Sequence, residues 1–249
     1  MIKKRSKEPL ELVDHLAELR ARAIRCIIYI VIGTTVGWLF YSPMFQLISA
    51  PVRPYLQQNH SKFLLTGIAE GFIFKMQMAV IAGIILVLPF MTIEAWMFLA
   101  PGLTKAEQRG VKLVAPLSIF LFLAGVAVSY WALPIGVQWL IAQNPPEATF
   151  MPSVTQTLTF ILKMVLAFGL IFQMPVVLVF LARIGIINSG MLKKYWRHSV
   201  VGISIVAAVA TPSNDALTMT LMCIPMLFLY LLSIGLVSLV QKKREDSDR

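Results

Sequence analysis

The chain alternates between long apolar stretches and short polar segments. Five stretches reach or approach the roughly 20 residues that a helix needs to cross about 30 Å of hydrocarbon. They are residues 24–40, 72–99, 113–133, 158–182 and 217–240. A sixth stretch, residues 199–210, rises only about 18 Å as a helix and is short for a span. This pattern predicts an all-α integral membrane protein.

The placement of Lys and Arg decides whether the short stretch crosses the membrane. If residues 199–210 did not cross the membrane, the basic segment before them and the nearly uncharged residues 211–216 would lie on the same side of the membrane. If they do, most basic residues gather on one side: Lys3, Lys4, Arg5, Lys7, Arg20, Arg22, Lys105, Arg109, Lys112, Arg183, Lys193, Lys194, Arg197, Lys242, Lys243, Arg244 and Arg249. The positive-inside rule then predicts six transmembrane helices with both termini in the cytoplasm. The fifth span is short, and we expect a short sixth span and a concave bundle.

We expect residues 1–240 to form a single six-span transmembrane domain. An amphipathic segment at residues 9–23 precedes the first span and should lie on the cytoplasmic face. Residues 241–249 form a charged cytoplasmic tail that we expect to be disordered. The extracytoplasmic segments 41–71 and 134–157 are rich in proline, which favours rigid capped structure outside the membrane.

Composition agrees with a membrane protein and excludes other classes. Hydrophobic residues make up 58% of the 249 residues and charged residues 14%, against about 25% charged in soluble domains. The net charge of +10 sits in short segments, where it sets topology, so we expect no nucleic-acid partner. No HExxH, CxxC, P-loop or GxSxG pattern occurs, so we predict no metal, no cofactor and no enzymatic activity.

Two carboxylates on the predicted cytoplasmic side have plain structural interpretations. Glu18 can pair with Arg22 one helical turn later, which is worth about 0.2 to 0.5 kcal/mol. Glu107 ends a T-K-A-E capping box at residues 104–107 that would start the third span. Alternatively, Glu18 and Glu107 meet as a receptor for a basic peptide. Two carboxylates can each take a guanidinium bidentately, which discriminates Arg from Lys.

Polar residues inside or at the ends of spans also need partners. Glu94 and Gln173 lie within spans, where a central charge costs about 2.5 to 3.5 kcal/mol on insertion scales. Their expected depths differ by roughly 6 Å, within reach of two long side chains. Alternatively, Glu94 only extends to the cytoplasmic face. Glu70, at the outer start of the second span, either accepts hydrogen bonds within a cap or pairs with Lys75.

Several motifs occur in a specific order along the chain. They are P-L-x-x-x-x-H-L-x-E-L-R at 9–20, S-A-P at 49–51, E-G-F at 70–72, W-x-F-x-A-P-G-L at 96–103, K-x-E-x-R at 105–109, A-F-G-x-x-F at 167–172 and T-P-x-x-D at 211–215. Together they resemble TatC, the multispanning subunit of the twin-arginine protein translocase. The resemblance extends from about residue 9 to residue 240.

The resemblance implies a receptor for Arg-Arg signal peptides of folded precursor proteins in the bacterial inner membrane. Glu18 and Glu107 match the family's recognition carboxylates, Arg20 and Arg22 match basic positions beside them, and Phe98 matches an aromatic position near the same surface. It further implies assembly with TatA- and TatB-type single-span subunits and with other copies of the chain, and export driven by the proton gradient. Residues matching the extracytoplasmic cap are Pro51, Glu70 and Asp215.

The chain departs from the family pattern at two intramembrane positions. The family usually carries a glutamate where this chain has Gln173, in F-Q-M-P, and tends to carry a glutamine where this chain has Glu94. We therefore hypothesise that the carboxyl and the amide have been exchanged between the second and fourth spans. Both residues are then candidates for contact with partner helices.

Two other functions remain open at this stage. Glu94 and Gln173 could line the path of a secondary transporter for a small ion or metabolite. Transporters usually contain repeated halves with broken helices at matching positions, and the sequence has no internal repeat. A purely structural membrane anchor would instead tolerate loss of Glu18 and Glu107.

Overall fold

The computed structural model describes residues 8–58, 61–99, 105–145, 151–211 and 215–247. Side chains are described at 17–58, 61–98, 116–145, 151–211 and 215–241. Within these ranges the chain forms ten helices: α1 (Glu8–Leu39), α2 (Tyr41–Ser49), α3 (Arg53–Gln58), α4 (Glu70–Leu99), α5 (Lys105–Ala142), α6 (Val154–Ile171), α7 (Met174–Arg183), α8 (Ser189–Lys194), α9 (Trp196–Ala210) and α10 (Ala216–Ser247).

The predicted all-α membrane fold is confirmed. Five segments are long and apolar enough to cross a membrane: Ala17–Leu39, Glu70–Phe98, Pro116–Ala142, Val154–Arg183 and Ala216–Gln241. The shorter apolar helix α9 has 15 residues and rises about 22 Å, so the predicted fifth span is indeed short. The 26-residue apolar part of α10 is not, so the expectation of a short sixth span was wrong. The count of six crossings and the side of the termini stay predictions.

Helices α1 and α4 pack antiparallel in very close contact. A Cβ atom on Gly33 would lie 2.6 Å from the carbonyl oxygen of Gly83, and one on Gly37 would lie 2.7 Å from that of Ala79. Small residues allow two helix backbones to approach this closely within a membrane. The same antiparallel register, continued toward the chain's N-terminus, places Arg22 opposite Glu94.

The fourth apolar segment is broken into α6 and α7. Pro175 has no N–H to donate, so the helix cannot continue through this position with its normal hydrogen bonds. The backbone forms a turn at Phe172 and Gln173, and α7 starts with proline in its first turn. The break lies within the F-Q-M-P motif of residues 172–175.

The short helices α2 and α3, residues 61–69 and residues 151–153 form a cap at one end of the bundle. Two tyrosines attach its helices to α5: Tyr55 donates to the carbonyl oxygen of Pro134 at 3.2 Å, and Tyr130 donates to that of Leu47 at 3.1 Å. A parallel bridge joins Leu64 to Ser153. The cap is therefore a hydrogen-bonded structure, as the proline-rich segments predicted.

The core lies between α4, α5, α6 and α10, and the opposite faces of the helices are apolar and open. Phe74, Leu158 and Met222 are completely or almost completely buried. By contrast, Trp131 and Phe228 are 73% and 67% exposed. Large exposed apolar side chains on long helices are what lipid solvates.

Both ends of the chain are more continuous than the sequence analysis predicted. The amphipathic segment 9–23 and the first span belong to one uninterrupted helix, α1. Helix α10 extends to Ser247, through most of the segment 241–249 for which we expected disorder. Gln, Lys, Arg and Glu dominate this segment, and all four are good helix formers.

Candidate functional site

A buried carboxylate connects α4 to α1. Glu94 lies near the end of α4 and is only 4% exposed. The oxygen Oε2 accepts a hydrogen bond from Nη1 of Arg22 at 3.0 Å. The other oxygen, Oε1, accepts from Nη1 of Arg25 at 3.0 Å and from the Tyr29 hydroxyl at 3.2 Å. Removing one partner of such a buried ion pair typically costs about 3 to 5 kcal/mol.

Arg22 joins this buried carboxylate to a second, more accessible one. Its Nε atom donates to Oε1 of Glu18 at 3.0 Å, and its Nη2 atom donates to the same oxygen. The Glu18–Arg22 pair that the spacing predicted is therefore confirmed. The Glu18 side chain is 30% exposed, and its Oε2 accepts no hydrogen bond from the described residues. The Arg22 guanidinium thus contacts one buried carboxylate, that of Glu94, and one partly exposed carboxylate, that of Glu18.

The polar side of α1 faces α4, and its apolar side is open. Leu19, on the apolar stripe, is 46% exposed, whereas the Arg22 side chain is 14% exposed. A surface helix of a soluble protein usually turns its apolar face inward, whereas α1 turns its polar face toward α4. The buried charge of Glu94 explains it, because arginines are the partners that a carboxylate in an apolar environment requires.

The other residues predicted for signal-peptide recognition are described to different extents. Arg20 is exposed on α1, and Phe98 is half-buried at the end of α4, one turn beyond Glu94. Glu107 lies in the first turn of α5, but its side chain is outside the described residues, as is Thr104 of the predicted capping box. The structure therefore brings Glu18, Arg22 and Glu94 together and leaves a Glu18–Glu107 pairing as a prediction.

Sequence reasoning missed Arg25 and Tyr29 as partners of Glu94. The signal was available, because Glu18, Arg22, Arg25 and Tyr29 recur at intervals of three or four residues and so share one face of a helix. What the sequence lacked was the register between α1 and α4. The interpretation that Glu94 only extends to the cytoplasmic face was wrong, since its carboxylate is buried between two helices.

Gln173 belongs to a separate set of contacts at the break between α6 and α7. Its Nε2 atom donates to the carbonyl oxygen of Ser118 on α5 at 2.9 Å. Its Oε1 atom and the hydroxyl of Ser118 are buried and have no hydrogen-bond partner in the part of the chain that the structure describes. Glu94 and Gln173, whose expected depths put them within reach of each other, have separate hydrogen-bond partners in the structure.

Residues predicted for the cap take part in local hydrogen bonds. Glu70 accepts from the hydroxyl of Thr66 at 2.8 Å and from that of Ser153 at 3.1 Å. Lys75, the other partner considered for Glu70, instead places its ammonium 4.1 Å from the ring centroid of Trp38. Asp215 accepts from the backbone N–H of Thr218 at 2.8 Å, as an N-cap of α10 does. Pro51 is buried between α2 and α3.

Comparisons with known proteins identify relatives over nearly the whole chain. A family model described as "Sec-independent protein translocase protein (TatC)" matches residues 14–225. A Sec-independent protein translocase protein TatC from Desulforapulum autotrophicum is 35% identical, with 98% of this chain and 90% of the relative aligned. The protein of the same name from Koribacter versatilis is 32% identical, with 96% of this chain and 89% of the relative aligned.

The fold is also similar to solved structures. A crystal structure of the twin arginine translocase receptor TatC in DDM superimposes with a TM-score of 0.79 at 30% identity, covering 90% of this chain and 99% of that one. A second crystal structure of the same receptor gives a TM-score of 0.78 at 30% identity. Sequence, span pattern and three-dimensional fold agree, and the chain belongs to the TatC family of multispanning Sec-independent protein translocase subunits.

Proposed function

We propose that this translocase subunit is the receptor for twin-arginine signal peptides of folded precursor proteins. Glu18 and Glu107 bind the paired arginines on the cytoplasmic side, with Arg20, Arg22 and Phe98 beside them. The single observation that carries the proposal is the carboxylate of Glu18, which is 30% exposed and has one oxygen without a partner among the described residues, toward the end of the bundle where α1 meets α4.

Charge geometry supports recognition of arginine rather than of any cation. A guanidinium is planar and donates two parallel hydrogen bonds to a carboxylate, whereas an ammonium acts as a point charge. Two carboxylates that lie close together can hold two consecutive arginines. Helix α4 ends at Leu99 and α5 begins at Lys105, so Glu107 lies in the first turn of α5, a short connection after the end of α4 that carries Glu94 and Phe98.

Peptide binding tests this proposal. A labelled Arg-Arg signal peptide is titrated against the purified full chain in lipid nanodiscs, in parallel with its Lys-Lys counterpart. We expect the Lys-Lys peptide to bind at least tenfold more weakly, and Glu18→Gln and Glu107→Gln each to weaken Arg-Arg binding at least tenfold.

Glu70→Gln is the matched control, because it removes a carboxylate from the cap and should leave the dissociation constant unchanged. Equal affinity for the Arg-Arg and Lys-Lys peptides would contradict the proposal. A purely structural anchor predicts that neither recognition variant alters binding.

We also propose that TatA- and TatB-type single-span subunits pack near the break between α6 and α7, and that Glu94 and Gln173 influence their docking. A buried amide oxygen without a partner supports this assignment, since a polar side chain from a neighbouring helix could donate to Gln173. The short helix α9 suits a thinner bilayer, which lowers the cost of passage. Export draws on the proton gradient.

Co-purification tests the docking proposal. Gln173→Leu keeps the side-chain size but cannot hydrogen-bond, so we expect it to reduce the amount of single-span subunit recovered with the chain. Gln156→Leu, in the first turn of α6, is the control. Recovery equal to that of the unaltered chain would exclude a contribution of Gln173. Restored export in a Glu94→Gln and Gln173→Glu double variant, compared with each single change, tests the exchange hypothesis.

A further inference from the structure

We infer that Glu94 is a positioning residue for arginine recognition, because it holds Arg22 in an orientation that leaves one oxygen of Glu18 open to a ligand. This inference rests on the proposed function and adds to it a residue of the second predicted span. The availability of the Glu18 carboxylate to a ligand then depends on the buried carboxylate of Glu94 on the neighbouring helix α4.

The hydrogen bonds define the orientation of the Arg22 guanidinium. Nη1 is held by Oε2 of Glu94 at 3.0 Å and lies 3.4 Å from the Glu94 carbonyl oxygen. Only the opposite edge of the fork, Nε and Nη2, remains for Glu18, and both atoms donate to the same oxygen, Oε1. Oε2 of Glu18 is left without a partner among the described residues.

The anchoring by Glu94 is rigid enough to maintain this orientation. Its side chain is 5% exposed, and both of its oxygens are engaged. The glycine contacts between α1 and α4 fix the register that brings the two residues together. Arg22 therefore presents only its Nε–Nη2 edge to Glu18, and in the structure that edge meets a single oxygen of Glu18.

Charge balance leads to the same conclusion. The four side chains Glu18, Glu94, Arg22 and Arg25 carry no net charge together. Without the carboxylate of Glu94 the set would carry one positive charge, and one arginine that is not neutralised would stand beside the site of a doubly positive ligand. Both the hydrogen-bond geometry and the charge of Glu94 therefore favour binding of an Arg-Arg segment at Glu18.

A four-variant binding experiment tests the inference. The dissociation constant of the Arg-Arg peptide is measured for the full chain in nanodiscs, for Glu94→Gln, for Glu18→Gln, and for the double variant. We expect Glu94→Gln to raise the dissociation constant roughly five- to twentyfold. This is the size of effect expected from removing one unit charge near a charged ligand at the effective dielectric constant of a protein surface. Because the positioning role acts through Glu18, Glu94→Gln should raise the dissociation constant by a smaller factor in the Glu18→Gln background than in the unaltered chain.

The outcomes separate this inference from the proposed function. If Glu18→Gln weakens binding but Glu94→Gln does not, the inference is wrong and the receptor proposal survives. If Glu18→Gln has no effect, the receptor site itself is wrong. If Glu94→Gln weakens binding equally with and without Glu18, Glu94 does not act by positioning Arg22 at Glu18 and the inference is overturned.

Arg22→Lys provides a second variant in case Glu94→Gln does not fold. It retains the positive charge and leaves Glu94 in place, but an ammonium cannot hold two carboxylates with the opposite edges of one planar group. We expect it to raise the dissociation constant by a factor similar to that of Glu94→Gln. An unchanged dissociation constant for Arg22→Lys would overturn the positioning role.

Discussion

At the scale of single residues, the chain satisfies its polar groups where they carry out a definite task. Glu94 is buried and has three donors, Glu70 is held within the cap, and Asp215 starts α10. Gln173 differs from these residues, since its oxygen is buried without a partner among the described residues, as is the neighbouring hydroxyl of Ser118. Because buried polar atoms usually find partners, these two atoms mark the break in the fourth apolar segment as a place where a further polar group could bind.

Asp215→Ala should destabilise the fold, because it removes the acceptor of the Thr218 backbone N–H at the start of α10. Loss of an N-cap typically costs about 1 kcal/mol. The free energy of unfolding, followed in detergent by titration with a denaturing detergent, should fall by that amount. Asp215→Asn retains a capping oxygen and should cost much less. Equal losses in both variants would show that the charge, and not the cap, is what matters.

At the scale of elements, the pairing of α1 with α4 positions the candidate site. Close backbone contact at Gly33, Gly37 and Gly83 sets the distance and register of the two helices, and the Arg22–Glu94 ion pair lies further along the same interface. Trp96 and Phe180 pack edge to face at 4.7 Å between ring centroids and attach the end of α4 to α7. The polar cluster is therefore held by packing on both sides of α4.

Gly83→Ala should separate α1 from α4. The added Cβ would lie 2.5 Å from the backbone nitrogen of Thr34, and a backbone atom cannot move aside as a side chain can. Overpacking of this kind costs about 1 to 3 kcal/mol, so the thermal unfolding midpoint in detergent should fall. Gly71→Ala, in the same helix, is the matched control, because no atom lies within 4 Å of the new Cβ. Its thermal unfolding midpoint should equal that of the unaltered chain. A midpoint that is unchanged in Gly83→Ala would refute the close contact.

At the scale of the whole molecule, the chain is a bundle of long apolar helices with a hydrogen-bonded cap at one end and a charged cluster at the other. The cap contains α2 and α3. Glu18, Arg22 and Glu94 lie toward the ends of α1 and α4 that are farthest from the cap. The positive-inside rule predicts that the charged end faces the cytoplasm. That orientation would put the proposed receptor carboxylates on the side from which precursors arrive.

Cysteine labelling in intact cells tests the orientation. With Cys26 and Cys223 replaced by alanine, Gln143→Cys after α5 should react with a membrane-impermeant maleimide added outside. Lys194→Cys at the end of α8 should react only after the inner membrane is permeabilised. Both positions are exposed, so accessibility does not limit either reaction. The reverse pattern would invert the topology and remove Glu18 from the cytoplasmic side.

The sequence by itself determined the fold class, because runs of about 20 apolar residues can be solvated only by lipid or by one another. It also determined the Glu18–Arg22 pair, since these two residues lie one helical turn apart. Tertiary structure alone decided what Glu94 contacts and which face of α1 turns inward. Those outcomes depend on the register of two helices about 70 positions apart, which glycine contacts fix and which no local pattern contains.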